Sequence, residues 1–583
     1  MHLPRPKKTL WNRALSTRAV ALAAAGTLTV GALAACSAGS TTSAASDGSG
    51  TTAAEIAATD NAGRSAQDVL AENLSSEETA ALADQTWDTA DEVAVSLDGD
   101  SASVSASASG DGVTVDGSTV TITQPGTYRI SGTLDDGQVV VDSSADGVVR
   151  LVLDGADVTS STGAAVDVQD ADQVSVVLAD GSTNRLEDAE EYADTTSDNA
   201  ADAALYSTAD LAISGGGALD VVGHANDGIT GKDGLVIASG SVAVDAADDA
   251  VRGKDYLVVS GGTIDVTAGG DGLKSDADDD ATVGYVALTG GDVTVDAGSD
   301  GVQGFTDVAI TDGTLTVTGS EEGIEAATIA VSGGTTDITS TDDGLNATVK
   351  EAEDDTATGD TAGDDTAGDT TSDEQQAPEP PADGAMPTGE PPADGEMPQG
   401  GGGGAPMDQV VEGASVTITD GTVHLDAEGD GLDSNGVAEI SGGDVVVEGP
   451  TNGGNGALDV AGDLTVTGGT VLAVGSSGMA QAPTEDSAQA WVALTADATL
   501  EAGTDVAVVD ADGTEVATIT LSKTAQSVVY SGPEITGGET YTLTADGKEV
   551  GTAAAGEAPA GGMGGGPGGG QGQPDQSSST ATS

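Results

Sequence analysis

The sequence predicts an all-β fold, a parallel β-helix with coils of about 22 residues and a small C-terminal cap resembling a β-sandwich. Three observations predict it. The chain repeats one unit: an alternating strand, a Ser-Gly-Gly-like turn, a second alternating strand, and an acidic-Gly-apolar turn. Leu257 to Leu273 and Val308 to Ile324 are two copies. The acid of the second turn recurs at Asp227, Asp249, Asp271, Asp300, Glu322, Asp343 and Asp430, in steps of 22, 22, 29, 22, 21 and 87. No unit contains an amphipathic helix, which excludes a βα-barrel, and the period is about half that of a propeller blade.

The elements follow in chain order. Residues 1–35 read as a lipoprotein signal peptide. Arg5, Lys7, Lys8, Arg13 and Arg18 form a cationic start, and Ala19 to Ala35 is an apolar stretch too short for a comfortable membrane span. It ends in Leu33-Ala34-Ala35-Cys36, the pattern in which the cysteine becomes a lipidated N-terminus. Cys36 is the chain's one cysteine, so stability must come from packing or metal and not from an internal disulfide. Residues 36–109 read as a lipid-anchored tether and variable segment, Ser/Thr/Ala/Gly-rich at its start. The β-helix is expected over 110–350 and again over 409–480.

Between them, residues 351–408 form an acidic Pro/Gly-rich insertion without apolar periodicity. The step of 87 from Asp343 to Asp430 is one unit plus about 65 residues that contain this insertion. The step of 29 contains seven extra residues around Asp276 to Thr282. Residues 490–550 carry longer alternating strands with Asp512-Gly513 and Asp546-Gly547 turns, the expected cap, and 551–583 is a Gly/Ser-rich tail. A cap is needed because the open end of a stacked sheet is an exposed edge.

Several of these stretches resemble a known family. They include Gly126-Thr-Tyr-Arg-Ile-Ser-Gly-Thr-Leu134, Gln138 to Asp142, Val149 to Gly155, and the Asp-Gly-apolar turns at Asp227, Asp271 and Asp300. From about Gly110 to Gly475 they resemble the bacterial carbohydrate-binding domain-containing proteins, whose fold is similar to that of polysaccharide lyases. The resemblance implies a right-handed parallel β-helix and sugar binding, with calcium as the expected cofactor. Its signature is spread over many coils and names no single sugar.

Charge narrows the partners. The whole chain has 16 basic and 98 acidic residues; without residues 1–35 it keeps eleven basic residues and all the acids, a net charge of −87. Such a field repels nucleic acid and calls for cations. Carboxylates stacked one coil apart repel by about 1 kcal/mol per pair even in water. The sequence offers two reliefs. Lys232, Arg252, Lys254 and Lys274 stand beside the first acids of the column. Farther on the bases vanish, and oxygen-only clusters there suit calcium. The expected metal ligands are Asp276, Asp278 and Asp280 of the insertion, which alternate as in the first half of a calcium loop, with Asp300, Glu322 and Asp343 of the column. The expected sugar contacts are Arg252, Lys254 and Lys274, with Tyr256 and Tyr285 as stacking rings. Arg252 and Lys274 fall at the same repeat position, as column neutralisers would.

No nucleophile–histidine–acid set can be assembled, so no catalytic residue is assigned and a non-enzyme is expected. The reading is therefore a lipoprotein on the outer face of a bacterial membrane that binds extracellular polysaccharide, acidic glycans with calcium. Two alternatives stand beside it. One is a lyase of uronic-acid polymers on the same fold, with Arg252 or Lys274 in its chemistry. The other is a structural or adhesion protein with no specific sugar.

Overall fold

Alternating apolar residues set the strands of this computed structural model, and the inward positions are filled mostly by Val, Ile, Leu and Ala, with Thr336 a polar exception. Ser241–Ala246 and Thr263–Ala268 both bury every second side chain and expose the others. The structure describes residues 61–83, 86–105, 112–193, 200–350 and 410–559. Residues 1–60, 351–409 and 560–583 lie outside them, so Cys36, the signal peptide, the insertion and most of the tail are not described.

Each repeat unit contributes three strand segments, which pair in parallel with those of the next unit. Val242 faces Ile264 and Val251 faces Leu273. Across the seven-residue insertion Leu273 faces Val302, and across the 87-residue step Leu345 faces Leu432. Thirteen short strands, from Val113–Asp116 to Leu458–Val460, make one sheet, and 22 strands make the main sheet. Both pack against a continuous core running from Val95 to Val529. A glycine in these Ser-Gly-Gly-like turns takes a left-handed φ, 97° at Gly262 and 93° at Gly313, which is why glycine recurs there.

The pairing corrects the right-handed parallel β-helix expected from the period. Val148–Thr159 pairs with both Gln173–Leu178 and Thr183–Glu187. Tyr285–Ala297 likewise pairs with both Tyr256–Val259 and Thr263–Ala268. Between these two long strands the two edges of the main sheet run as separate ladders, through Leu211–Gly215 and Gly234–Ile237 on one side and Ala218–Gly223 and Ser241–Ala246 on the other. Ten parallel strands thereby close into one ring, a barrel in connectivity. The physical reason lies in the Ser-Gly-Gly turn. In some units it ends a strand, and in others the chain bends through it with bulges, as between Leu288 and Asp292. The period is the same in both cases.

The C-terminal region completes the main sheet. Trp491–Leu500 and Ala525–Ser531 pair antiparallel, and Ala525–Ser531 also pairs antiparallel with Thr470–Gly475. The remaining strands form a four-stranded antiparallel sheet over a second core that includes Val492, Leu494, Tyr541 and Leu543. Lys523 ties this part back, its Nζ 2.6 Å from the Asp426 carboxylate and 2.5 Å from the Ala427 carbonyl.

At the other end, residues 61–83 form a strap across the outside of the ladders. It contains two helical turns, Ala66–Leu70, capped by the Ser65 hydroxyl, and Glu77–Ala80. Ala66 and Val69 pack on Ala309 and Ala330. Leu70, Leu74 and Ala80 pack on Val236, Tyr256, Val258, Tyr285 and Ala287.

Candidate functional site

The acid of each Asp-Gly-apolar turn sits where the chain enters a strand of the thirteen-stranded sheet, so the acids form a column. The column is hydrogen-bonded in two stretches, Asp227 to Asp300 and Asp343 to Asp430. The Asp271 amide donates to the Asp249 carboxylate at 2.9 Å, and the Asp300 amide to Asp271 at 2.9 Å. The Asp249 amide reaches Asp227 at 3.3 Å, and the Asp430 amide reaches Asp343 at 2.6 Å. Asp227, Asp249, Asp271 and Asp343 thus each spend one carboxylate oxygen on the backbone of the next unit. Asp227, Asp249, Asp271 and Asp300 are buried.

Three residues further along, a second column runs parallel to the first. Strand register places Thr230, Arg252, Lys274, Gln303, Glu325, Asn346, Asp433 and Asp459 side by side. Its charge changes from basic through neutral to acidic along the stack. In the basic part, Lys274 Nζ lies 3.0 Å from both Asp249 and Asp271. Arg252 pairs with Asp276 and stands 3.9 Å from Asp227. Burial alone would lower the Lys274 ammonium, but Asp271 and Asp249 carry it above its usual range.

In the acidic part the relief is different. The Gln303 amide donates to Asp300 at 2.9 Å, the Asn346 amide to both Glu322 oxygens at 3.0 and 2.9 Å, and Lys350 reaches Glu325 at 2.5 Å. Burial, then Asp271 and Glu325, pushes the Asp300 carboxyl up to about 9. Burial and Glu325 push Glu322 to about 7. Asp343 rises to about 7, chiefly through burial, and Asp433 to about 8 through burial and its acidic neighbours Asp343 and Asp430. Among the described residues, Asp300, Glu322 and Glu325 form a group whose carboxylate oxygens lie within 4.8 Å of one another. The Asn346 Oδ1 beside them is buried without a hydrogen-bond partner.

These positions sort the residues expected from sequence. Asp300 and Glu322 come together, and Glu325 completes the group; its signal was its place three residues after Glu322, where Arg252 and Lys274 stand in their own units. Asp343 lies in the column but outside that group. The alternating loop is not brought together: Asp276 is engaged by Arg252, Asp280 accepts the Thr282 amide at 3.0 Å, and no three-acid group forms there among the described residues. Arg252 and Lys274 are held in ion pairs within the columns. Lys254, half-buried in the next row, makes no ion pair among the described residues. Tyr256 and Tyr285, expected as stacking rings, are 3% and 2% exposed, beneath the strap.

Residues 116–366 match the model of a family described as carbohydrate-binding domain-containing protein. A carbohydrate-binding domain-containing protein of Acetivibrio thermocellus is 40% identical over 137 residues, 23% of this chain and 48% of that protein, so the chain spans about half the length of that relative. A solved structure described as a polysaccharide lyase-like protein from C. thermocellum, gadolinium derivative, is 31% identical, covering 44% of this chain and 96% of that one with a TM-score of 0.36. Residues 116–366, the segment that carries both columns up to Asn346, are thus where the chain is similar to the carbohydrate-binding domain-containing family.

Proposed function

We propose that this protein binds extracellular polysaccharide, and that it takes acidic glycans through calcium held on the acidic half of the double column. The single observation that carries the calcium reading is the oxygen-only group of Asp300, Glu322 and Glu325. Hard cations of this kind are held by several carboxylate and carbonyl oxygens, and the unpartnered Asn346 Oδ1 adds another oxygen of the right type. Calcium there would neutralise carboxyls that burial and mutual repulsion hold above their ordinary range, and would offer open positions to a sugar carboxylate. Without a cation, a chain this acidic and an acidic glycan repel within a Debye length of about 8 Å at physiological salt. Arg252 and Lys274, already paired, are less suited to that contact than their charge suggests.

The same reading places the protein on the outer face of the cell membrane through a lipid on Cys36. It rests on the Leu33-Ala34-Ala35-Cys36 pattern, and Cys36→Ala should leave unprocessed precursor or release the protein. The sugar test is retention on immobilised polygalacturonate with calcium and with chelator, for the wild type and for Glu322→Gln with Glu325→Gln. Retention should require calcium and fall at least about tenfold in the double variant, as loss of charged ligands implies. Equal retention in chelator would remove calcium from the reading. No retention of any glycan would leave adhesion, and unsaturated product would turn the assignment to a lyase.

A further inference from the structure

Tyr256 and Tyr285 face each other on neighbouring strands, with ring centroids 5.5 Å apart and planes inclined by 24°. They stand on the outer face of the main sheet, in one row with Asp210 and Gly234 before them and Asp307 after them. Gly234 makes room for the pair: a Cβ there would lie 2.0 Å from the Tyr256 ring. The row therefore offers two stacked rings with a carboxylate at each end. Aromatic faces take the C–H face of a sugar ring, and carboxylates take its hydroxyls.

In this structure the strap occupies that row and supplies the groups a sugar would supply. Leu70, Leu74 and Ala80 pack against the apolar cluster that contains both rings. The Thr79 hydroxyl is 2.8 Å from the Tyr256 hydroxyl and also bonds Asp210. The Tyr285 hydroxyl donates to the Leu74 carbonyl at 2.7 Å. Asp307, buried, accepts the Asn61 and Asn73 amides at 3.1 and 2.9 Å. Hydroxyl and amide donors of the strap thus satisfy both flanking carboxylates, while its apolar side chains cover the rings. The strap adds no strand to the sheet. Among the described residues, one bond between main-chain groups, Leu74 amide to Thr282 carbonyl at 2.7 Å, joins it to the repeat, beside the Gly63 and Ala66 amides donated to the Thr417 and Ser332 hydroxyls, and helical turns of five and four residues do not hold by themselves.

We propose that the strap is a built-in pseudo-ligand masking a second sugar site, in which Tyr256, Tyr285, Asp210 and Asp307 take a neutral glycan once the strap is displaced. This rests on the carbohydrate reading but involves neither calcium nor the acidic columns. The test loosens the strap in the full chain by Asn61→Ala with Asn73→Ala, and independently by Leu74→Asp, which sets a charge against the rings. Tyrosine accessibility, by iodide quenching and nitration, is read beside affinity for a soluble neutral glucan hexasaccharide in chelator. Far-UV circular dichroism confirms that the ladders persist.

Either loosened form should expose the tyrosines and gain about tenfold or more in glucan affinity. Adding Tyr256→Ala should remove the gain. Exposed tyrosines without glucan binding would overturn the proposal, and so would tyrosines that stay covered in both forms. Calcium-dependent retention of polygalacturonate by the wild type, measured alongside, reports on the first site alone, so failure of one reading is distinguishable from failure of the other.

Discussion

The amide of Asp271 donates to the carboxylate of Asp249 at 2.9 Å, although the two are 22 residues apart, and Lys274 lies 3.0 Å from both carboxylates. One side chain therefore satisfies the backbone of the next unit and anchors a cation in the neighbouring row. Repulsion along the column is reduced twice, by donated N–H groups and by an interleaved ammonium.

Replacing Asp271 with Ala leaves the buried Asp300 amide without its acceptor and should destabilise the fold by about 1–3 kcal/mol. Asp271→Asn keeps an oxygen in place and should cost clearly less. Chemical denaturation of the two variants checks the order; equal losses would mean that the charge, and not the amide bond, matters at this position.

The two lysines should separate. Lys274→Met strands two buried carboxylates and should cost about 3–5 kcal/mol. Lys254→Met removes a cation with no ion pair among the described residues and should change stability by less than about 0.5 kcal/mol. Melting curves suffice for both. Should Lys254→Met instead reduce glycan retention with its stability intact, Lys254 is a ligand contact.

Stability should fall as pH rises, the reverse of the usual acidic protein. Burial, then Asp249, holds the Asp227 carboxyl up at about 8, and burial with Asp271 holds Asp249 at about 6. An unfolded aspartate titrates near about 3.9. The folded state thus keeps protons that the unfolded chain has lost. The stability these groups contribute is complete below about pH 4 and is lost as pH passes through about 6 and then about 8. In chelator the melting temperature should decline over this window. Calcium should flatten the decline in so far as it spares the acidic half, since it binds the folded state. A melting temperature that climbs from pH 5 to 8 in chelator would contradict the burial of this column.

Gly234→Ala should swing the Tyr256 ring off its neighbour, because the added methyl would lie 2.0 Å from the ring. The expected cost is about 1–3 kcal/mol. A changed near-ultraviolet circular dichroism signal from tyrosine would report it, whereas Gly503→Ala, with open space around the position, offers a control for strain at a left-handed φ of 82°.

Periodicity made the strands and the column legible because both depend on spacing alone. Val251, Leu273 and Val302 had to point inward, and their neighbouring acids had to stack. What spacing does not encode is whether the chain ends or merely bends at a Ser-Gly-Gly turn, so the closure of ten strands at Val148–Thr159 and Tyr285–Ala297 was not legible. Nor was the burial of Tyr256 and Tyr285, because their cover comes from residues some 180 to 210 positions earlier. The Asp276, Asp278 and Asp280 pattern read as a ligand loop because local spacing cannot show that Arg252, one unit away, claims the first of them. Glu325, one of the acids of the later units, stayed out of the expected ligand set for the same reason: its partner Asp300 becomes its neighbour only through the register.

Asp430 sits on Asp343 with the same carboxylate-to-amide bond that joins units 22 residues apart, although 87 residues separate them. Closing the longer loop costs only about 1 kcal/mol more by chain entropy, yet that cost falls at one joint. A stack held by nearest-neighbour contacts gives way first where its coupling is weakest. By that entropy cost alone, the joint between Leu345–Ala347 and Leu432–Ser434, though fully paired, is the expected seam. Pulled from its two ends, the protein should part there into two blocks, each keeping its own ladders, and the strap, reaching from Ser175 to Thr417, is the stitch that crosses the opening.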